Sequence, residues 1–448
     1  MARWPHDIPL AALWSGPDAT PNSRWSILAP IAATTLNQYP PALLHDFATP
    51  QPRSADPDAP PFSGGHIGHL SFDLAPDFEP TILNEFPHPA RAVRAAPKMT
   101  WHHCPWALAF DRVRSQWWSV GESSRDSDAT LQTLRSAPAS NSESAIPTAP
   151  VFTLDGPGSG ALESARRAYT AAVAVALAHI AAGNIYQVNL AHALRFAFTG
   201  AHRALFLTLA AATRPWYGAL IEAAPPPSNS PGLPSNPSPR HLLSFSPELF
   251  LNLDAPDGAG ARRITTRPMK GTRPAATSPS DLLDSEKDAA ELTMIVDLMR
   301  NDLARICTPA SIRVERRRDL ERHGLPATGV LQSTATIAGT LRPRTTLDEI
   351  FARTFPPGSV TGAPKVRALQ IIRALERFPR GPYCGVIGYV SVTGHAAFNV
   401  AIRTAEIDPH ASTLTYPVGA GIVWGSDAET EWRETITKAA AILKLAIP

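Results

Sequence analysis

Hydrophobic positions along the chain change their period several times, and each change predicts an element. Residues 1–120 are short apolar runs between Pro and Gly breaks; GGHIGHLSFDL (64–74) and WALAFDRVRSQWWSV (106–120) predict sheet segments. From 121 to 150 the chain turns polar and rich in Ser, Ala and Pro, the composition of a linker. Ala161–Ala182 has helical composition and helical polar spacing, with Gly183 where a C-cap belongs. IYQVNLAHALRFAF (185–198) then alternates with a period of two, which predicts a strand. Two strand-like pieces, GALIEA (218–223) and HLLSFSPELFLNL (241–253), flank a Pro/Ser/Asn tract at 224–240. That tract cannot donate ladder hydrogen bonds and predicts a loop without chemistry. A helix at about 285–305, another after Pro364, strands near 384–393 and 396–407, and a C-terminal helix from about Ala428 complete the pattern. Strands and helices mix without strict βαβ alternation and without a G-x-G-x-x-G after a strand. The expected class is α+β, not a doubly wound nucleotide fold.

Composition narrows the class of function. Across 448 residues, 41 Lys and Arg against 39 Asp and Glu leave a net charge of +2, which is no footprint for nucleic acid. The 46 prolines are roughly twice average usage, but a hydrophobic fraction of 44% still supplies a large core. Cys104, Cys307 and Cys384 are odd in number and far apart, so a disulfide framework or zinc ribbon is not expected. His102, His103 and Cys104 carry metal-type atoms, but no second cluster supplies further ligands, and local packing is the better reading. The N-terminus has Pro and Asp where a signal peptide needs an unbroken apolar run, and Ala168–Ala182 is too short to span a bilayer. A cytoplasmic protein without nucleic-acid or membrane partners is expected.

Several positions carry candidate chemistry. Asp288 and Glu291, and Glu431 and Glu434, are acidic pairs at i,i+3 spacing on two predicted helices, so each pair shares one helix face. Hard oxygens with open positions suit Mg²⁺, although such pairs are more often a solvated face. Lys270 in RITTRPMKGTRPAA (263–276) lies in a turn stiffened by Pro268 and Pro274. A lysine held inward and desolvated there can be a neutral nucleophile; the plain alternative is an exposed loop lysine. Glu248 follows Pro247 in SFSPELF, where a carboxyl can act as general acid. PPGSVTGAPK (356–365) and PVGAGIVWGS (417–426) are Gly-rich turns whose N–H groups can cradle an anion, or ordinary turns.

Individually these signals are weak; their combination and order are not. GNIYQVNLA, SFSPELF, TTRPMKGTRP, the D-x-x-E-x-x-M-I-V-D-L-x-R-N-D helix, PPGSVTGAPK and GAGIVWGSDAETEWRET together resemble the chorismate-utilising enzymes. The resemblance covers about 161–448, and extends weakly through PNSRWSILAP, PALLHDF and GGHIGHLSFDL to the N-terminal region of the aminating members. It implies a large two-sheet β-sandwich core with helices outside and the active site between the sheets. The expected organisation is an N-terminal region (1–120) packing on the main core, a linker (121–150) and a chorismate-binding catalytic region (151–448). By that resemblance Glu291 and Glu434 are direct Mg²⁺ ligands, with Asp288 and Glu431 beside them through water, and the ion holds the ring carboxylate of chorismate. Tyr383, Arg403, Lys438 and the amides of Gly419 and Gly421 match positions that bind the side-chain carboxylate, and Thr361 falls in the pocket wall.

Two positions separate the branches of the family. Gln187 stands where the isochorismate and salicylate synthases carry a lysine general base, so water activation is not expected. Lys270 stands where anthranilate synthases usually have alanine; the P-x-K-G-T form resembles the aminodeoxychorismate-forming branch. The resemblance therefore implies a covalent Lys270 intermediate with Glu248 as acid, with anthranilate synthesis or a non-catalytic chorismate-binding subunit as the alternatives. Gln332 and Ala335 depart from the family's His and Ser, and the 224–240 tract is extra. None of the three cysteines sits in a glutaminase elbow, so ammonia is expected from a separate glutamine amidotransferase subunit.

Overall fold

The computed structural model describes residues 1, 3–16, 20, 23–36, 58–83, 97–122, 125–136, 152–223, 240–324 and 329–446. PALLHDF, the residues 224–239 of the Pro/Ser/Asn tract and Pro150 lie outside them. Two sheets, of eleven and ten strands, form the centre of the described chain, with helices outside them. Neighbouring strands pair antiparallel in both. The class is α+β, as the absence of βαβ alternation predicts.

The N-terminal strands enter both sheets. Leu10–Trp14 pairs with Tyr217–Ile221 in the eleven-stranded sheet, and Gly65–Leu70 pairs with Val386–Ser391 in the ten-stranded one. Within the stretch read as a linker, Arg125–Ser136 is helical, and Ser127 and Thr130 are buried. Its polar composition hid a helix, because its fully buried positions are small hydroxyl residues, and Leu131 and Leu134 are only partly buried.

The elements that frame the site are helix α1 (Ser159–Ala181), strand β1 (Gln187–Gly200), strand β2 (Met269–Pro274), helix α2 (Glu286–Ala304), strand β3 (Val330–Thr340), helix α3 (Lys365–Leu375), strand β4 (Thr413–Val423) and helix α4 (Ala428–Lys438). Gly183 has a positive φ of 73°, the left-handed conformation that ends α1 where the sequence places its cap. β1 pairs with β4 along its length, from Gln187↔Val423 to Ala197↔Thr413. Its outer half alternates buried and exposed, while its first six residues are all buried. α1 and α4 pack on the β1–β4 pair and against each other. α2 starts at Ser285, whose hydroxyl accepts from the Asp288 amide, and buries Leu292, Ile295, Val296, Met299 and Leu303 as one stripe against β3 and β2.

Two predicted strands each divide in two. HLLSFSPELFLNL becomes His241–Ser246 in the eleven-stranded sheet and Leu249–Leu253 in the ten-stranded one. The run at 396–407 becomes Ala396–Val400 and Thr404–Asp408, divided between the same two sheets. The halves pair with each other on both sides, so the two strands cross between sheets together. Pro247 causes one break, since it has no N–H for a ladder; the other falls at Arg403, whose φ of 51° leaves the strand region. Both crossings lie beside the candidate chemistry.

Candidate active site

The paired crossings place Glu248 and Arg403 at one corner between the sheets. Val400 N–H donates to the Glu248 carbonyl at 3.0 Å, and Phe245 N–H donates to the Arg403 carbonyl at 2.9 Å. Ser246 ties the corner together: its hydroxyl donates to Val400 O at 2.6 Å and accepts from Glu248 N–H at 3.1 Å. The Glu248 carboxyl is buried, and burial pushes its pKa up to about 7 despite a hydrogen bond from Ser359, the charge of Lys270, the Met269 amide and the charge of Arg403. A carboxyl with that value can hold a proton near neutral pH and release it.

Lys270 comes from the opposite sheet. The turn expected around it is instead the edge strand β2, where Lys270 pairs with Ser333 across a bulge that precedes Thr272. Gly271 takes the left-handed φ of 73° at the bulge, and a Cβ there would stand 3.0 Å from the Asp288 carboxylate. A bulge re-aims the side chain next to it. Burial lowers the Lys270 pKa; Glu291, Glu248 and Glu434 oppose the shift and Lys438 adds to it. The amine thus lies within electrostatic reach of both acidic helices and of Glu248. Gln187, on the other wall, is fully buried with no hydrogen-bond partner for either amide atom.

The four predicted metal-binding carboxylates do not converge equally. Asp288 lies on the buried stripe of α2 and is bound by Arg273 at 2.6 Å. Glu291, one step round the helix, is partly exposed and has Lys287 at 4.0 Å. On α4, Glu431 is buried, and burial raises its pKa against a hydrogen bond from Ser426, with Glu434 adding to the rise. Glu434 leaves 49% of its side chain open and pairs with Lys438 at 2.7 Å. Burial works against its charge, but Lys438, Lys270 and Lys287 hold its pKa below the ordinary value. Among the described residues, no three His, Cys, Asp or Glu side chains form a group that could hold a metal alone. Two accessible carboxylates whose charges both reach the Lys270 amine are still a donor set that suits Mg²⁺, which commonly takes one or two carboxylates and completes its shell with water and substrate oxygens.

α4 is fixed on β1 by His192, whose ring lies 4.5 Å from Trp432 and whose Nε2 is 2.8 Å from the Thr435 hydroxyl. Lys438 donates to the Gly419 carbonyl at 2.9 Å, closing α4 onto β4. Gly419 needs its missing side chain, because a Cβ would lie 2.6 Å from Leu190 O. Tyr383 is buried beside Cys384, and burial holds its phenol protonated as a donor. Thr361 is fully buried with its hydroxyl donating to Gly358 O at 3.1 Å. Gln332 donates to Thr272 Oγ1 at 3.2 Å and keeps a buried, unpartnered carbonyl. Ser359 and Arg273 are working contacts that residue-by-residue reading passed over; both lie inside motifs singled out for other residues.

A cavity of about 930 Å³ also lies between the sheets, lined by Trp14, Arg24, Trp216, Arg267 and Asn399 among others. It contains none of the predicted site residues, although Leu249 and Asn399 place it behind the Glu248 corner.

The family model described as "chorismate binding enzyme" matches residues 13–444. The chain belongs to the chorismate-binding enzyme family. It is 32% identical over 416 residues to anthranilate synthase component 1 of Streptomyces coelicolor, covering 86% of this chain and 73% of that protein. It is also 33% identical over 420 residues to aminodeoxychorismate synthase component 1 of Klebsiella aerogenes, covering 92% and 83%. The crystal structure of anthranilate synthase component I from Streptococcus pneumoniae superposes with a TM-score of 0.72 at 25% identity, over 94% of this chain and 92% of that one. The two-sheet architecture is thus that of this chorismate-binding enzyme's relatives, and its curated relatives divide between anthranilate synthases and aminodeoxychorismate synthases. No helix of the described residues is long and apolar enough to cross a membrane.

Proposed function

We propose that the chain is the chorismate-aminating component of an aminodeoxychorismate synthase, converting chorismate and ammonia to 4-amino-4-deoxychorismate for p-aminobenzoate and folate synthesis. The observation that carries the reading is the Lys270–Glu248 pair: one environment lowers the pKa of an amine and raises that of a carboxyl facing it. Groups pushed in opposite directions in one site take the acid and base roles.

The neutral Lys270 amine attacks ring C2 while protonated Glu248 gives its proton to the departing C4 hydroxyl, which leaves as water. Ammonia then adds at C4 and the C2–N bond to Lys270 breaks, returning the amine. Nitrogen therefore lands para to the ring carboxylate. Gln187 lacks the basicity to activate water at C2. Tyr383, Arg403, Lys438 and the backbone at Gly419 and Gly421 bind the side-chain carboxylate. Glu291 and Glu434, with Asp288 and Glu431 behind them, would hold Mg²⁺, which when bound neutralises the ring carboxylate. A separate glutamine amidotransferase subunit supplies the ammonia.

The test incubates purified protein with chorismate, ammonium and Mg²⁺, then adds an aminodeoxychorismate lyase and identifies the aminobenzoate. p-Aminobenzoate that depends on the lyase is expected. Anthranilate formed without lyase would replace the para reading by the ortho one, the activity that the Streptomyces relative is named for.

A further inference from the structure

We propose that the fully buried Arg380–Glu376 ion pair is a positioning device of the active site, holding β1 and the Ser359–Thr361 loop at a fixed separation so that the Gln187 wall and Glu248 stay in register with Lys270. The role assigned to Glu248 and Lys270 rests on the function proposed above.

One edge of β1 is incompletely paired. β4 covers one side of β1 throughout, but on the other side Gly362–Ala363 pairs only at Val188 and Gln187, and Phe152–Asp155 only from Ala197 onward. Between them the outward backbone groups of β1 need partners, since a buried peptide group left unpaired is costly. Side chains supply them. Arg380 Nη2 donates to Asn189 O at 2.8 Å, and Ala191 N–H donates to Glu376 Oε1 at 2.8 Å. Asn189 N–H donates to Thr361 O at 2.7 Å. The ion pair thus stands in for a missing strand directly beside Gln187.

The same guanidinium reaches the other wall. Arg380 grips Glu376 in a fork, Nε to Oε2 at 2.9 Å and Nη2 to Oε1 at 2.6 Å, and its Nη1 donates to Val360 O at 3.0 Å. Val360 follows Ser359, the residue bonded to Glu248. From below, the guanidinium rests 4.4 Å over the Phe72 ring, and the neighbouring Gly381 exchanges bonds with Phe72 N–H and the Asp73 carboxylate at 2.7 and 2.9 Å. Arg380 and Glu376 are 1% and 4% exposed. A pair so deeply buried seldom contributes net stability beyond what apolar side chains of its size would give. Its planar, multi-donor geometry gives orientation instead, because each bond fixes a direction as well as a distance.

Arg380→Lys keeps the charge but cannot reproduce the fork, Asn189 O and Val360 O together. In the full chain we expect kcat for chorismate consumption to fall at least tenfold while the chorismate Kd, measured by calorimetry, changes less than threefold. Glu376→Gln keeps an acceptor for Ala191 N–H and is expected to lose less. Thermal melts of both variants are run alongside. A folded Arg380→Lys with kcat within threefold of wild type overturns the proposal. So does a loss of kcat and affinity in parallel that disappears on cooling, which marks a purely structural pair. Where Arg380→Lys does not fold, Glu376→Gln decides: a kcat lowered more than threefold with Kd changed less than threefold supports the proposal, and a kcat within threefold of wild type overturns it. Product identity is scored separately on the wild type. Anthranilate there would overturn the para reading and leave the kcat and Kd comparison intact.

Discussion

Gln187 and Lys270 reach one point from opposite sheets: a Cβ built on Gly421 would lie 2.9 Å from Gln187 Nε2 and 3.1 Å from Lys270 Nζ. Gly421→Ala therefore pushes on the tips of two flexible side chains and not on backbone. The fold is expected to tolerate it, with a change in stability below about 1 kcal/mol. The amine is expected to move by a few tenths of an ångström, and a misplacement of about 1 Å can cost about 100-fold in rate. Gly388→Ala is the contrast, since its Cβ would meet the Ala397 carbonyl of a paired strand at 1.9 Å. Paired melting and kinetic measurements check the two outcomes: Gly421→Ala loses activity and keeps its Tm, whereas Gly388→Ala loses Tm first.

Lys270→Ala removes the proposed nucleophile without touching the carboxylate-binding residues. Para product is expected to fall by at least about 1,000-fold, while calorimetric chorismate affinity stays within a few-fold of wild type. Unchanged para turnover would sink the covalent route.

Glu291→Gln and Glu434→Gln test the metal assignment separately from the Asp288 pair with Arg273. Each is expected to raise the Mg²⁺ concentration giving half-maximal activity by tenfold or more, and a chelator is expected to abolish wild-type turnover. Asp288→Asn is expected to shift that concentration less, because Arg273 already occupies its carboxylate at 2.6 Å. Equal effects at all three positions would place Asp288 among the direct ligands.

Long elements were legible from the sequence: α1 with its Gly183 stop, β1 by its alternation, and α2 and α4 at about 285–305 and from Ala428. The two inter-sheet crossings were not. HLLSFSPELFLNL is apolar on both sides of Pro247, so its pattern gives no sign that the halves belong to different sheets. The Lys270 segment misled for a related reason: prolines at 268 and 274 suggest a turn, yet an edge strand tolerates both. Residue types and family resemblance named Glu248 and Lys270, but only the fold shows that Ser359 and the Arg380–Glu376 pair stand behind them. A hydrogen bond between residues far apart in sequence leaves no periodic trace.

The buried Glu248 makes a prediction with two signs. As general acid it must be protonated, so kcat/KM is expected to fall as pH rises through about 7, and Glu248→Gln is expected to lose at least about 100-fold and that pH dependence with it. For stability, the ordinary value of 4.5 applies to the unfolded chain and about 7 to the folded one, so the folded state binds the extra proton between them. The stabilising contribution of the protonated carboxyl is then complete below about pH 4.5 and is lost as pH rises through about 7. By that linkage Glu248→Gln is expected to gain on the order of 3 kcal/mol over wild type at pH 8, compared with their difference at low pH. Denaturant titrations of both proteins across the range measure it. A difference that stays constant with pH would mean that Glu248 titrates in the folded protein as it does in the unfolded chain and is ionised at neutral pH, and its part as the proton donor would fall with it.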